Sequence, residues 1–70
     1  MKIGIISMYH PAKHFGFILD DETRIEFFFH ISSVVVGFTP VVGTRVTFDL
    51  APPIRLGQRE QAVKIQRGGN

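Results

Sequence analysis

Apolar and polar residues alternate in short runs along most of this chain, and turn-forming residues separate the runs. The breakers are His10-Pro11, the cluster Asp20-Asp21-Glu22-Thr23, Gly37 with Pro40 and Gly43, and Pro52-Pro53 through Gly57. Between them lie segments rich in Ile, Val, Phe and Thr, side chains that fit a pleated, half-buried surface. The spacing predicts strands near 2–9, 14–20, 25–31, 44–50 and 59–66. The last segment, GQREQAVKIQ, is built of good helix formers. Val63 and Ile65 nevertheless alternate with Ala62 and Lys64, which favours a strand there. The longest connection is 32–42, and Phe38 sits in it. Five short strands with turns between them predict an all-β fold, a small barrel.

Period two assigns faces, because residues two apart along a strand point the same way. In the second strand Gly16 and Ile18 share one face, while Phe15, Phe17 and Leu19 share the other. In the third, Phe27, Phe29 and Ile31 oppose Glu26, Phe28 and His30. The face that carries a carboxylate and an imidazole is the solvent side, which leaves Phe28 exposed beside His30. Ile6, Ile18, Phe27, Phe29, Val46 and Phe48 suffice to fill so small a barrel. Adding Phe15, Phe17 and Phe28 would overfill it, so packing drives rings outwards. Exposed phenyl rings are a solubility liability unless they meet a partner. Unpaired bases are such a partner, since every base has a flat π-face.

Composition narrows the setting. Seventy residues, 44% hydrophobic and 20% charged, make one globular domain with room for a single core. Without cysteine there are no disulfides and no thiolate metal sites. The opening MKIGIISMYH lacks the apolar length and cleavage site of a secretory leader, and no run approaches a membrane span. A soluble, cytoplasmic domain is the expectation. The formal net charge is only +2, but Arg55, Arg59, Lys64 and Arg67 make the last third basic, which fits an anionic partner.

The residues now in hand resemble the cold-shock domain family. Its first ribonucleoprotein motif, Lys-Gly-Phe-Gly-Phe-Ile, matches Lys13-His14-Phe15-Gly16-Phe17-Ile18. Its second, Val-Phe-Val-His-Phe, matches Phe27-Phe28-Phe29-His30-Ile31, followed by Ser32-Ser33-Val34. Gly4-Ile5-Ile6, the strand Gly43-Thr44-Arg45-Val46-Thr47-Phe48 and the closing Gln61-Ala62-Val63-Lys64-Ile65 also fit, so the resemblance covers nearly the whole chain. It implies a five-stranded antiparallel OB-fold barrel over 1–67, and the closing Gly-Gly-Asn at 68–70 reads as a flexible tail. It also implies binding of single-stranded RNA or DNA and an RNA-chaperone or transcription- and translation-modulating role. Carried over, Phe15, Phe17, Phe28 and His30 are stacking residues, Lys13 lies beside phosphates, and Phe38 falls near an aromatic that caps the platform. Arg59 joins the expected interface from the basic end. The RNA-recognition motif has a similar Lys-Gly-Phe-Gly-Phe string, but its aromatic partner strand comes first and it needs two helices.

This chain is a divergent member by that comparison. The family tryptophan on the first strand corresponds to Met8 and the lysine before it to Ser7. The following asparagine is His10, the motif glycine is His14, and the last platform phenylalanine is Ile31. Met8 can lie against a base without a ring; His10 and His14 can stack or, when protonated, meet phosphate. Met8, Ile31, Val34, Val35 and Val36 also define the alternative, a protein-interaction or dimerisation module that uses the same face, with a homodimer as its simplest form. No enzyme is expected: Ser32 and Ser33 after His30 lack an orienting acid and an oxyanion motif. His10, His14 and His30 lack the further ligands of a metal set, and no cofactor is expected.

Overall fold

The computed structural model describes residues 1–35, 37–52 and 60–68. Five strands account for most of it: β1 (Lys2–His10), β2 (Phe15–Asp20), β3 (Glu26–His30), β4 (Arg45–Ala51) and β5 (Gln61–Arg67). Two short 3-10 turns, Pro11–Lys13 and Ile31–Ser33, follow β1 and β3. The strands form one antiparallel sheet in the order β3-β2-β1-β4-β5. The sheet curls so that β3 packs against β5, and an isolated parallel bridge, Val34 to Ile65, ties the turn after β3 to β5. This is the small, barrel-like all-β fold the pattern predicts, of the OB type that the resemblance implies.

The helix-forming composition of the last segment does not prevail, because 61–67 is needed to cover the core. Ile6, Ile18, Phe29, Val46, Phe48, Ala62 and Ile65 are buried there, and Tyr9, Phe27, Val34, Phe38 and Leu50 pack against them. Phe27 thus reaches the core edge, its ring 6.3 Å from that of Phe48. Ile31, read as the end of the third strand, instead opens the 3-10 turn. Gly68 donates its N–H to the Arg45 carbonyl at 2.8 Å, and residues 69–70 of the expected tail lie outside the described residues.

Two bulges break the period of two. Between Ile6 and Met8 the register of β1 against β2 shifts by a residue, so Ile6 pairs with Ile18 and Met8 with Phe17. Between Thr47 and Asp49 β5 carries the extra residue: Thr47 pairs with Gln66 and Asp49 with Val63. Lys64 there has φ 53, in the left-handed region. The kink sends both Ala62 and Ile65, three apart, into the core.

Candidate nucleic-acid interface

The bulge in β1 aligns the outer face of three strands. Across β1, β2 and β3 one row reads His10–Phe15–His30 and the next Met8–Phe17–Phe28. Beyond them Leu19 pairs with Glu26. Phe15 and Phe28 stack with centroids 5.6 Å apart and planes 29° from parallel. Phe17 stands edge-on to both, at 6.3 Å from Phe15 and 6.0 Å from Phe28. His10 lies on Phe15 at 5.9 Å with planes 22° apart. The three phenyl rings are half-buried, shielded by one another and outside the core cluster. Such offset and T-shaped contacts are the preferred arrangements for aromatic rings.

Gly16, between Phe15 and Phe17, makes this geometry possible from the inside. A Cβ there would meet the Met8 carbonyl and come within 2.8 Å of two ring carbons of Phe29. The buried Phe29 ring occupies the space a side chain at 16 would need, and its neighbours can then face outwards. Tyr9, next to Met8, points the other way and lies parallel to Phe29 at 6.2 Å.

Polar groups bound the platform. At one end Pro11–Lys13 turns the chain back, and His14 closes the turn with φ 60, its N–H donating to the His10 carbonyl at 2.9 Å. Histidine is among the non-glycine residues that tolerate this region best. His10, Lys13, His14 and His30 are all exposed at this end. The Ile31 N–H donates to the His14 carbonyl at 2.9 Å, which pins the end of β3 to the same corner. His30 accepts the Ser32 N–H at Nδ1 (3.1 Å), with the Ser32 hydroxyl 2.9 Å away. At the other end the Ser7 hydroxyl donates to Glu26 at 2.7 Å and lies 3.3 Å from the Phe17 carbonyl oxygen. The chain therefore places a carboxylate, held by Ser7, at that border, a contact the period-two reading missed because the bulge sits at Ser7.

Farther along β2, Asp20 is 1% exposed yet charged. Burial pushes its carboxyl up, but the Thr23 hydroxyl (2.7 Å) and N–H (3.2 Å) and the Lys2 ammonium (3.4 Å) outweigh that and hold it below 3.8. Arg45 pairs with Asp21 at 2.9 Å. The acidic knot is thus taken up by the β2–β3 turn and its partners.

Of the expected site residues, Met8, His10, Phe15, Phe17, Phe28 and His30 lie in adjacent rows of β1–β3, with Lys13 and His14 exposed in the adjoining turn. Phe38 is half-buried and packs against the core rather than joining the stacked rings. Arg59 lies outside the described residues. Of the aliphatic residues named for a protein-binding face, Val34 packs on the core, Val35 is 39% exposed, and Val36 lies outside the described residues. Among the described residues no three His, Asp or Glu side chains converge as a metal site, and no helix is long and apolar enough to cross a membrane.

Comparison with known proteins agrees with this architecture. The family model described as the 'Cold-shock' DNA-binding domain matches residues 2–67. A solved structure of drosophila Unr, CSD456, superposes with a TM-score of 0.77 at 25% identity, over 97% of this chain. The chain spans 26% of the length of that structure. No curated protein matches the chain.

Proposed function

This chain belongs to the cold-shock DNA-binding domain family, whose members bind single-stranded nucleic acids, and we propose that it binds unpaired RNA or DNA with little base preference on the outer face of β1–β3. The family is one of nucleic-acid binders, not of enzymes, and the proposed action involves no bond making or breaking. Bases stack on Phe15, Phe17 and Phe28, with Met8 and His30 extending the rows, while Lys13 lies near the phosphates. A strand held this way cannot pair, so transient hairpins stay open; the RNA-chaperone or transcription- and translation-modulating role is carried over from the family.

One observation carries the reading: three phenyl rings stand within 5.6–6.3 Å of one another on an outer face, outside the core cluster, with the His10 ring 5.9 Å from that of Phe15. Stacking a base on an aromatic side chain is worth about 1–3 kcal/mol by truncation. Titration of a labelled oligothymidine with Phe17→Ala and Phe28→Ala should therefore show affinity lowered about 5- to 150-fold for each. The β-sheet circular dichroism should be unchanged. Two folded variants that bind like the parent would overturn the proposal.

A further inference from the structure

Beyond the Met8–Phe17–Phe28 row the outer face of the sheet changes from aromatic to aliphatic. The next row crosses four strands: Arg45 on β4 pairs with Ile5 on β1, Ile5 with Leu19 on β2, and Leu19 with Glu26 on β3. Their chain neighbours Gly4, Ile6, Ile18 and Val46 are buried, so these four side chains face outwards. One step on, Ile3 pairs with Thr47 and is 47% exposed. Both ends of the row are held in place. Asp21 meets the Arg45 guanidinium at 2.9 Å and the Ser7 hydroxyl meets Glu26 at 2.7 Å, while Arg45 and Glu26 stay exposed. The strip therefore reads cation, aliphatic, aliphatic, anion.

We propose that a second copy of this chain docks on this strip, face to face about a two-fold axis that runs along the strands between β1 and β2. Such an axis lays the row on itself in reverse. Ile5 then meets Leu19 of the partner subunit, Arg45 meets Glu26 of the partner subunit, and each contact occurs twice, as an isologous interface requires. The opposite charges at the two ends are what make the row complementary to itself; equal charges would repel under the same axis. Charge also argues against a nucleic-acid strand here. Aliphatic side chains offer a base no π-face, and Glu26 and Asp21 at the margins repel phosphate. The strip adjoins the aromatic platform without including its rings, so self-association does not depend on nucleic-acid binding. Two rows of side chains on the convex side of a curled sheet fall short of the roughly 1,200 Å² of a stable interface, so the dimer is weak.

Sedimentation equilibrium from about 10 µM to about 1 mM chain covers the range in which a weak contact of this size titrates. The apparent mass should rise from one chain towards two. Threonine suits an exposed strand position, so Ile5→Thr and Leu19→Thr should keep the parent's circular dichroism. Each should lower the association constant about tenfold or more. Arg45→Glu and Glu26→Arg should each weaken association as well, and the double exchange should restore it to within about threefold of the parent. Within one chain the two positions lie about 14 Å apart across three strand spacings, so a rescue reports contact between copies. A parent that stays single at about 1 mM overturns the proposal. So do threonine variants that associate like the parent, and a folded double exchange that stays single. If the parent is single and Ile5→Thr weakens oligothymidine binding, the strip belongs to the nucleic-acid path and the dimer is likewise overturned.

Discussion

At position 8 a thioether occupies the middle of the aromatic face. Met8 pairs with Phe17, one strand away from Phe28, and is half-buried against that row. It is soft enough to lie along a base, but it has no π-face of its own. An indole in the same place would extend the row Phe17–Phe28 across β1 without entering the core, since the inward neighbour is Tyr9. Met8→Trp should therefore tighten oligothymidine binding by about 5- to 150-fold, the contribution of one stacked base. A tryptophan fluorescence quench on binding would report the contact directly, because the chain has no other tryptophan. Unquenched emission with unchanged affinity would show that β1 does not carry a base. The same scale explains His14. Its φ of 60 suits glycine better than any other residue, so an imidazole there is held at a conformational cost.

At the scale of elements, Phe-Gly-Phe works as a unit because its glycine faces in while its rings face out. Gly16→Ala would press a methyl group against the Met8 carbonyl and the Phe29 ring, which fill the space in a closed core. Overpacking of this kind costs about 1–3 kcal/mol. Urea unfolding should show that loss as a lower midpoint at unchanged slope. Alternation along β2 and β3 grouped the faces in sequence, and packing required some rings to face out; the register then puts Ile18 and Phe29 inside and leaves Phe15, Phe17 and Phe28 outside the core. Five strands were legible for the same reason, with ends within two residues of those observed. The bulges were not. Neither the Ser7 nor the Lys64 bulge has a glycine at its kink, so strict alternation missed that Ala62 joins Ile65 inside and that Ser7 reaches Glu26. Phe38 was placed by likeness to a family aromatic, and the connection from 31 to 44 has no period that would have shown it turned to the core. The expectation that the rings stack bases came from their exposure as a group, and the family motif assigned it to individual residues.

At the scale of the described molecule the two ends of β2 differ. Lys13 and three histidines lie near the end where the chain enters, and Asp20, Asp21 and Glu22, with Lys2 and Arg45 as partners, lie at the end where it leaves. At the acidic end, Asp20 is expected to make the fold sensitive to low pH. Asp20 is buried and its carboxyl lies below 3.8, held there by Thr23 and Lys2 against the effect of burial. A folded-state value below the unfolded one means the native protein releases the proton more readily. The resulting stability is present above the unfolded value and lost as pH falls through the folded one. Thermal unfolding followed by circular dichroism should thus give a Tm that holds from neutral pH to about 5 and drops through pH 4 and 3. Asp20→Asn retains an acceptor for Thr23 but leaves the Lys2 ammonium without its buried partner. Its Tm should lie below the parent's at pH 7, and the difference should shrink as pH approaches 3. If the gap stays constant across that range, the carboxylate's charge is not what the turn depends on.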